Sequence, residues 1–120
     1  MGWHRLENFG QLGEIVAASS QRPQLIFKHS TRCSISAAAK HRLEVDLMAL
    51  SNVYDLHFLD LLTYRDISGM VADRFDVVHE SPQVIVVRGG KSVYVATHYD
   101  IESQDLLHLD ADGQAQAGSR

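Results

Sequence analysis

The chain has 120 residues, 45% of them hydrophobic and 22% charged, and a formal net charge of −4. This length is enough for one domain with a hydrophobic core, and the absence of an apolar run of about 20 residues argues against a membrane-spanning protein. The acidic balance disfavours a nucleic-acid-binding protein, because a phosphate-binding face usually makes the total charge basic. It does not exclude a local basic patch.

The segment from Met1 to Glu7 lacks both the apolar stretch and the small-residue cleavage site of a secretory signal, so we expect a cytoplasmic protein. Cys33 is the only cysteine, which rules out an internal disulfide and a multi-thiolate metal site. No two of the seven histidines have the close helical spacing that places two metal ligands on one face. We therefore predict no metal site.

Hydrophobic periodicity and turn residues predict alternating strands and helices along the chain. In chain order, the predicted elements are an edge strand at Trp3 and Leu6, a helix over 8–19, a strand over 24–28, one long helix from near Cys33 to Leu50 that Ser51-Asn52 closes, a strand over 53–60, a helix over 66–75 with Ile67, Met70, Val71 and Phe75 on one face, strands over 83–88 and 91–96, and a helix over 101–109.

Gly89-Gly90 separates two β-branched runs and predicts a tight hairpin, because both glycines can take positive φ. An early strand–helix–strand alternation, followed by this terminal hairpin and a closing helix, predicts an α/β fold with a mixed central sheet covered by helices on both faces. This is the thioredoxin-like order. We assign residues 1–109 to a thioredoxin-like domain. We predict a disordered tail over 110–120, because this segment has few apolar side chains to bury.

Cys33 follows the polar and basic run Lys28-His29-Ser30-Thr31-Arg32 and begins the long predicted helix. The unpaired N–H groups and the positive dipole end of a helix favour a thiolate, which is the nucleophilic form of cysteine. Lys28, His29 and Arg32 would favour it further if their side chains turn toward the sulfur. The alternative is a buried structural cysteine. The polar flanks favour the reactive thiol.

Ser36 stands three residues after Cys33, where a Cys-x-x-Cys oxidoreductase has its second cysteine. A mixed disulfide at Cys33 would therefore need an outside thiol to resolve it. Ser36 either donates a hydrogen bond to the Cys33 sulfur or is simply part of the first helical turn. Ser81-Pro82 precedes a strand at the place where thioredoxin-like folds have a cis proline, which presents the backbone before it to an incoming chain; we predict a cis bond here.

The motif around Cys33, together with Ser81-Pro82-Gln83 and the element order from Trp3 to Leu109, resembles the YtxJ-like monothiol bacilliredoxins of the bacillithiol redox system. The family motif reads Thr-Cys-Pro-Ile-Ser or Thr-x-Cys-Pro-Ile-Ser, and Ser34 stands here in place of its proline. This difference bears on the tuning of the thiol, because residues at this position influence redox potential.

This resemblance implies an oxidoreductase that removes bacillithiol from S-bacillithiolated cytosolic proteins, with bacillithiol as co-substrate and no tightly bound cofactor. The partners would be those S-thiolated proteins and a recycling thiol or reductase, with neither nucleic acid nor membrane. We assign Cys33 and Ser36 as catalytic, and the following residues as substrate-binding: Thr31, Arg32, Ser34, Ser81 and Pro82.

Two other functions stay open at this stage. The first is a glutathione-linked protein similar to monothiol glutaredoxins, some of which hold an iron–sulfur cluster between subunits, although Ser34-Ile35 replaces the Gly-Phe of their Cys-Gly-Phe-Ser motif. The second is a non-enzymatic thioredoxin-like binding or stress-response module, because a fold does not by itself imply an activity.

Overall fold

A five-stranded mixed sheet forms the centre of the protein in the computed structural model, which describes residues 2–109. The elements in chain order are β1 (Trp3–Arg5), α1 (Phe9–Ala18), β2 (Gln24–His29), α2 (Ser34–Val45), α3 (Leu47–Val53), β3 (Asp55–Asp60), α4 (Arg65–Phe75), β4 (Gln83–Arg88), β5 (Lys91–Thr97), a 3₁₀ turn (His98–Asp100) and α5 (Ser103–Leu107).

The strand order is β1-β3-β2-β4-β5, and β2 lies at the centre with all its residues buried. Strands β1, β3 and β2 are parallel, whereas β4 is antiparallel to β2 and β5 is antiparallel to β4. His29, at the end of β2, is in register with Asp60 at the end of β3, and Lys28 is in register with Gln83 at the start of β4. The chain segments next to these three strand ends therefore meet at one edge of the sheet.

Helices cover both faces of the sheet, each over its own hydrophobic core. Helices α2, α3 and α5 pack on the face that includes Leu25 and Phe27 of β2, and α1 and α4 pack on the face that includes Ile26. Successive side chains of a strand point to opposite faces, so the central strand contributes to both cores. The first face also receives Leu43, Leu50, Tyr54 and Leu106, and the second Leu12, Ile15, Ile67, Val71 and Phe75.

The sheet, its helical layers and the hairpin are as the sequence predicts. Gly89 and Gly90 have φ of 57° and 78°, so the hairpin uses the positive-φ conformations for which two glycines are suited. Ser81–Pro82 is a cis peptide bond, as predicted.

The prediction of one long helix is wrong, because the chain breaks at Asp46 into α2 and α3. The break redirects the chain so that Leu50 packs into the hydrophobic core on one face of the sheet. This packing is a feature of the tertiary structure, and the alanine-rich sequence does not indicate it. The last helix is also shorter than predicted, because α5 covers only Ser103–Leu107 of the predicted range 101–109. Met70 is predicted to share a face of α4 with Ile67, but it is 41% exposed. Ser68, next to Ile67, is buried instead.

The tail predicted over residues 110–120 lies outside the described residues. Within residues 2–109, no helix combines the length and the apolar character that crossing a membrane requires.

The helix that begins at Cys33 is held on the sheet by Leu43, whose side chain is fully buried. We expect Leu43→Ala to lower the free energy of unfolding by about 2 to 5 kcal/mol, because it removes buried methyl groups and leaves a cavity. Met48→Ala on the adjoining α3 is the matched control, since Met48 is 67% exposed. Urea denaturation followed by circular dichroism measures both, and equal losses would contradict this assignment of the core.

Candidate active site

Cys33 is the N-cap residue of α2, with φ −114° and ψ 120°. Its N–H donates to the Ser30 carbonyl at 3.2 Å, and its carbonyl accepts the Ala37 N–H at 3.0 Å. The residue is half-buried, and its Sγ makes no hydrogen bond with any described residue. Cys33 therefore stands at the positive end of the helix as a half-buried residue outside both hydrophobic cores, unlike a buried structural cysteine.

Ser36 lies one turn into α2 and is fully buried. Its Oγ accepts the Ser30 N–H at 3.0 Å and lies 2.6 Å from Nδ1 of His29. Of the two roles left open by the sequence, the hydrogen bond to Cys33 is absent from the structure. The hydroxyl instead fastens the start of α2 to the end of β2 and so fixes the loop that presents Cys33.

His29, the last residue of β2, has a buried imidazole that packs 5.3 Å from the ring of Phe58. Burial, and then the positive charge of Lys40, lower the pKa of His29 below its ordinary value. The imidazole is therefore neutral at pH 7, and its Nδ1 accepts the Ser36 hydroxyl proton when the ring hydrogen is on Nε2. His29 supplies no positive charge to the Cys33 thiolate at that pH, contrary to the expectation from the sequence.

Lys28 also supplies no charge beside Cys33, because its side chain points to the opposite face of the sheet. It is fully buried, and its Nζ donates to the Ser68 carbonyl at 3.0 Å and to Nδ1 of His79 at 3.2 Å. Burial lowers the pKa of Lys28 to about 8. Lys28 is thus a buried amine bound to α4, through Ser68, and to the loop that follows α4, through His79.

Thr31 and Arg32 are exposed residues of the loop between β2 and α2. Both line an open cavity of about 360 Å³ that is completed by Leu62, Thr63 and Arg65 from the other side. The two sides are held together because the Leu61 N–H donates to the His29 carbonyl at 3.1 Å. Ser34, where the resembling family has proline, is the exposed first residue of α2.

Ser81 and Pro82 lie at the same edge of the sheet, directly before β4. Pro82 is buried and its carbonyl accepts the His98 N–H at 3.1 Å. The Ser81 hydroxyl is buried without a hydrogen-bond partner among the described residues. The pairing of Lys28 with Gln83 brings this segment next to the loop that holds Cys33.

The structure thus gathers the predicted site residues at one edge of the sheet, with Ser36 turned inward as an anchor. Two features escaped the sequence analysis: the buried His29–Ser36 pair, and Arg65 with Thr63 across the cavity from Arg32. The predicted strand–helix–strand alternation carried a signal for the second feature, because strands joined by a helix commonly pair in parallel and the loops that leave them then emerge at the same edge.

Comparison with known proteins agrees with this geometry. Residues 4–106 match the family model described as "Monothiol bacilliredoxin BrxC". A solved structure described provisionally as an oxidoreductase with a thioredoxin fold is 28% identical, with a TM-score of 0.74 over 85% of this chain and 88% of that one.

Two thioredoxins align at lower identity. That of Malassezia sympodialis is 10% identical, with a TM-score of 0.68 over 83% of this chain and 82% of its own. Oxidised thioredoxin from Plasmodium falciparum is 13% identical, with a TM-score of 0.67 over 88% and 95% of the two chains. These neighbours confirm the thioredoxin-like fold.

The buried amine of Lys28 predicts a pH dependence of stability. Between about pH 8 and its ordinary pKa of about 10.4, the unfolded chain binds the Lys28 proton more strongly than the folded protein does, so the free energy of unfolding rises with pH. We expect the stability of the native protein relative to Lys28→Met to increase across this window.

Urea denaturation of both proteins at pH 7.5 and pH 10, with reductant present, measures this difference. Lys91→Met is the control, because Lys91 is exposed on β5 and its charge is solvated in both states. A difference between the native protein and Lys28→Met that stays constant with pH would show that Lys28 titrates normally.

Proposed function

The chain belongs to the monothiol bacilliredoxin family, and from this premise we propose that it removes bacillithiol from S-bacillithiolated proteins through Cys33. Family and fold together make the protein a thiol–disulfide oxidoreductase. The observation that carries the proposal is the position of Cys33, the only cysteine of the chain, at the N-cap of α2. The chain thus supplies one nucleophilic thiol and no second thiol that could resolve a mixed disulfide.

The reaction consists of two exchanges that conserve the number of disulfides. The Cys33 thiolate attacks the bacillithiol sulfur of a mixed disulfide, the old S–S bond breaks, and the substrate protein leaves as a thiolate that takes a proton from water. Bacillithiol is now joined to Cys33. A second thiolate, from free bacillithiol or a reductase, then attacks this new disulfide and releases Cys33.

The second exchange depends on an outside thiol because the third residue after Cys33 is a serine and not a cysteine. A Cys-x-x-Cys oxidoreductase would resolve its mixed disulfide there, whereas this chain has the buried hydroxyl of Ser36, which is bound to Ser30 and His29. The adduct on Cys33 therefore persists until a partner arrives. Such a cycle suits the cytoplasm, where low-molecular-weight thiols are abundant and reduced.

Substrate recognition would use the groups exposed around the sulfur. Thr31, Arg32 and Ser34 surround Cys33 on the loop and on the first turn of α2. Ser81 and Pro82 lie on the neighbouring segment directly before β4, and the cis bond between them presents the backbone of that segment to a docking chain.

Incubation with a protein carrying bacillithiol on one cysteine tests the proposal. We expect intact mass spectrometry to show a bacillithiol adduct on this chain and the free thiol on the substrate, because Cys33 accepts the small thiol. Cys33→Ser should form no adduct. A parallel substrate carrying glutathione distinguishes bacillithiol from the glutathione-linked alternative. An unmodified Cys33 beside an unchanged substrate would overturn the proposal and favour a non-enzymatic module.

Ser36→Cys should convert the persistent adduct into an internal disulfide with Cys33, because it places a thiol where a Cys-x-x-Cys protein resolves its intermediate. Non-reducing mass spectrometry after exposure to oxidised bacillithiol would then show a loss of two hydrogens in place of the adduct.

Ser36→Ala is the matched control for that experiment. It removes the same hydrogen bonds to Ser30 and His29, which we expect to lower the free energy of unfolding by about 1 to 3 kcal/mol, and it introduces no thiol. Its adduct should persist. An adduct equally stable in Ser36→Cys would show that Ser36 does not occupy the resolving position.

A further inference from the structure

The cavity lined by Arg32 and Arg65 is basic, although the protein as a whole has a net charge of −4. Arg32 reaches it from the loop between β2 and α2, and Arg65 from the first position of α4. Leu62 and the hydroxyl-bearing Thr31 and Thr63 complete its lining, which contains no carboxylate. Cys33 is not part of this lining but directly follows Arg32 in the chain, so the cavity borders the loop that presents the nucleophile.

Both guanidinium groups lack a partner within residues 2–109. The ion pairs formed there are Arg22 with Asp55 and Lys40 with Glu44, whereas Arg32 and Arg65 form neither a hydrogen bond nor an ion pair.

Within residues 2–109, no nearby carboxylate forms an ion pair with Arg32 or Arg65. Asp60 is held within its own turn, where its carboxylate accepts the Leu62 N–H at 3.2 Å and the Thr63 hydroxyl at 2.9 Å. Arg65 also borders a neighbouring cavity with Glu7 and Asp66, without pairing to either. Two uncompensated arginines that converge on one cavity are suited to a carboxylate ligand, since a guanidinium presents donors in a geometry that matches it.

We propose that the cavity between Arg32 and Arg65 binds the carboxylates of the small thiol whose disulfide Cys33 attacks. This inference rests on the proposed function and extends it to a binding subsite. Bacillithiol carries two carboxylates in its malate portion, and glutathione also carries two. Both candidate ligands are therefore carboxylate-bearing thiols, and the disulfide of each is used as a separate probe to distinguish them.

The subsite decides which sulfur of a mixed disulfide is attacked. A protein-bound disulfide offers two sulfurs, and attack on the protein's sulfur would join the two proteins and release the small thiol. Carboxylates held in the cavity place the small thiol's own sulfur next to Cys33. The small thiol is then transferred to Cys33, and the substrate protein departs as the thiolate.

Arg65→Gln tests the subsite without altering the loop that contains Cys33. The measurement is the initial rate of Cys33 modification by oxidised bacillithiol, by glutathione disulfide and by neutral hydroxyethyl disulfide, followed by intact mass spectrometry at low ionic strength. We expect the rate with oxidised bacillithiol, relative to hydroxyethyl disulfide, to fall about twofold to fivefold, the range for a partly exposed charge pair. Added salt should reduce the difference, because it screens exposed charges.

Arg65→Lys and Arg74→Gln are the controls. Arg65→Lys keeps the charge and should restore part of the preference, whereas Arg74→Gln removes an exposed arginine from the last turn of the same helix and should change nothing. A fall with glutathione disulfide equal to that with oxidised bacillithiol supports recognition of the carboxylates, and a larger fall with bacillithiol identifies bacillithiol as the ligand.

An unchanged ratio of acidic to neutral disulfide in Arg65→Gln would overturn the subsite while leaving the oxidoreductase intact. Failure of the native protein to react with any of the disulfides would instead overturn the proposed function itself.

Discussion

The backbone register of β2 between β3 and β4 is the constraint on which the site depends. Parallel pairing aligns the end of β2 with the end of β3, and antiparallel pairing aligns it with the start of β4. Three chain segments distant in sequence are thereby brought to one edge: the loop with Cys33, the loop that leads to Arg65, and the segment with Ser81. A one-residue slip of β2 would turn every side chain of the strand to the opposite face, so both hydrophobic cores enforce this register.

The same alternation explains why the basic run before Cys33 does not act as one charged patch. Lys28 points toward the α4 face and is bound to Ser68 and His79, whereas His29 points toward α2 and is neutral. Arg32 alone among these cations is exposed on the loop next to Cys33, and Arg65 lines the same cavity as Arg32 from α4. Buried polar groups in this region therefore act as anchors, whereas the exposed positive features are the end of α2 and the two arginines.

A chain with one thiol performs half of the chemistry of a dithiol oxidoreductase. Burial of the Ser36 hydroxyl between Ser30 and His29 holds the start of α2 in place but supplies no second thiol. In the proposed exchange, the intermediate therefore depends on an external thiol for its release. Under that proposal, recognition of the small thiol is as important as the reactivity of Cys33.

The sequence by itself determined the α/β class, the hairpin at Gly89-Gly90, the cis bond before Pro82 and the position of Cys33 at a helix start. The class, the hairpin and the helix start follow from local periodicity, from turn residues and from a motif that is contiguous in the chain, and the cis bond is predicted from the place of Pro82 in the thioredoxin-like element order. The break at Asp46, the inward turn of Ser36, the separation of Lys28 from Cys33 and the convergence of Arg32 with Arg65 were decided by the tertiary structure alone. Each depends on which elements pack against one another, and long-range packing is not encoded in the spacing of neighbouring residues.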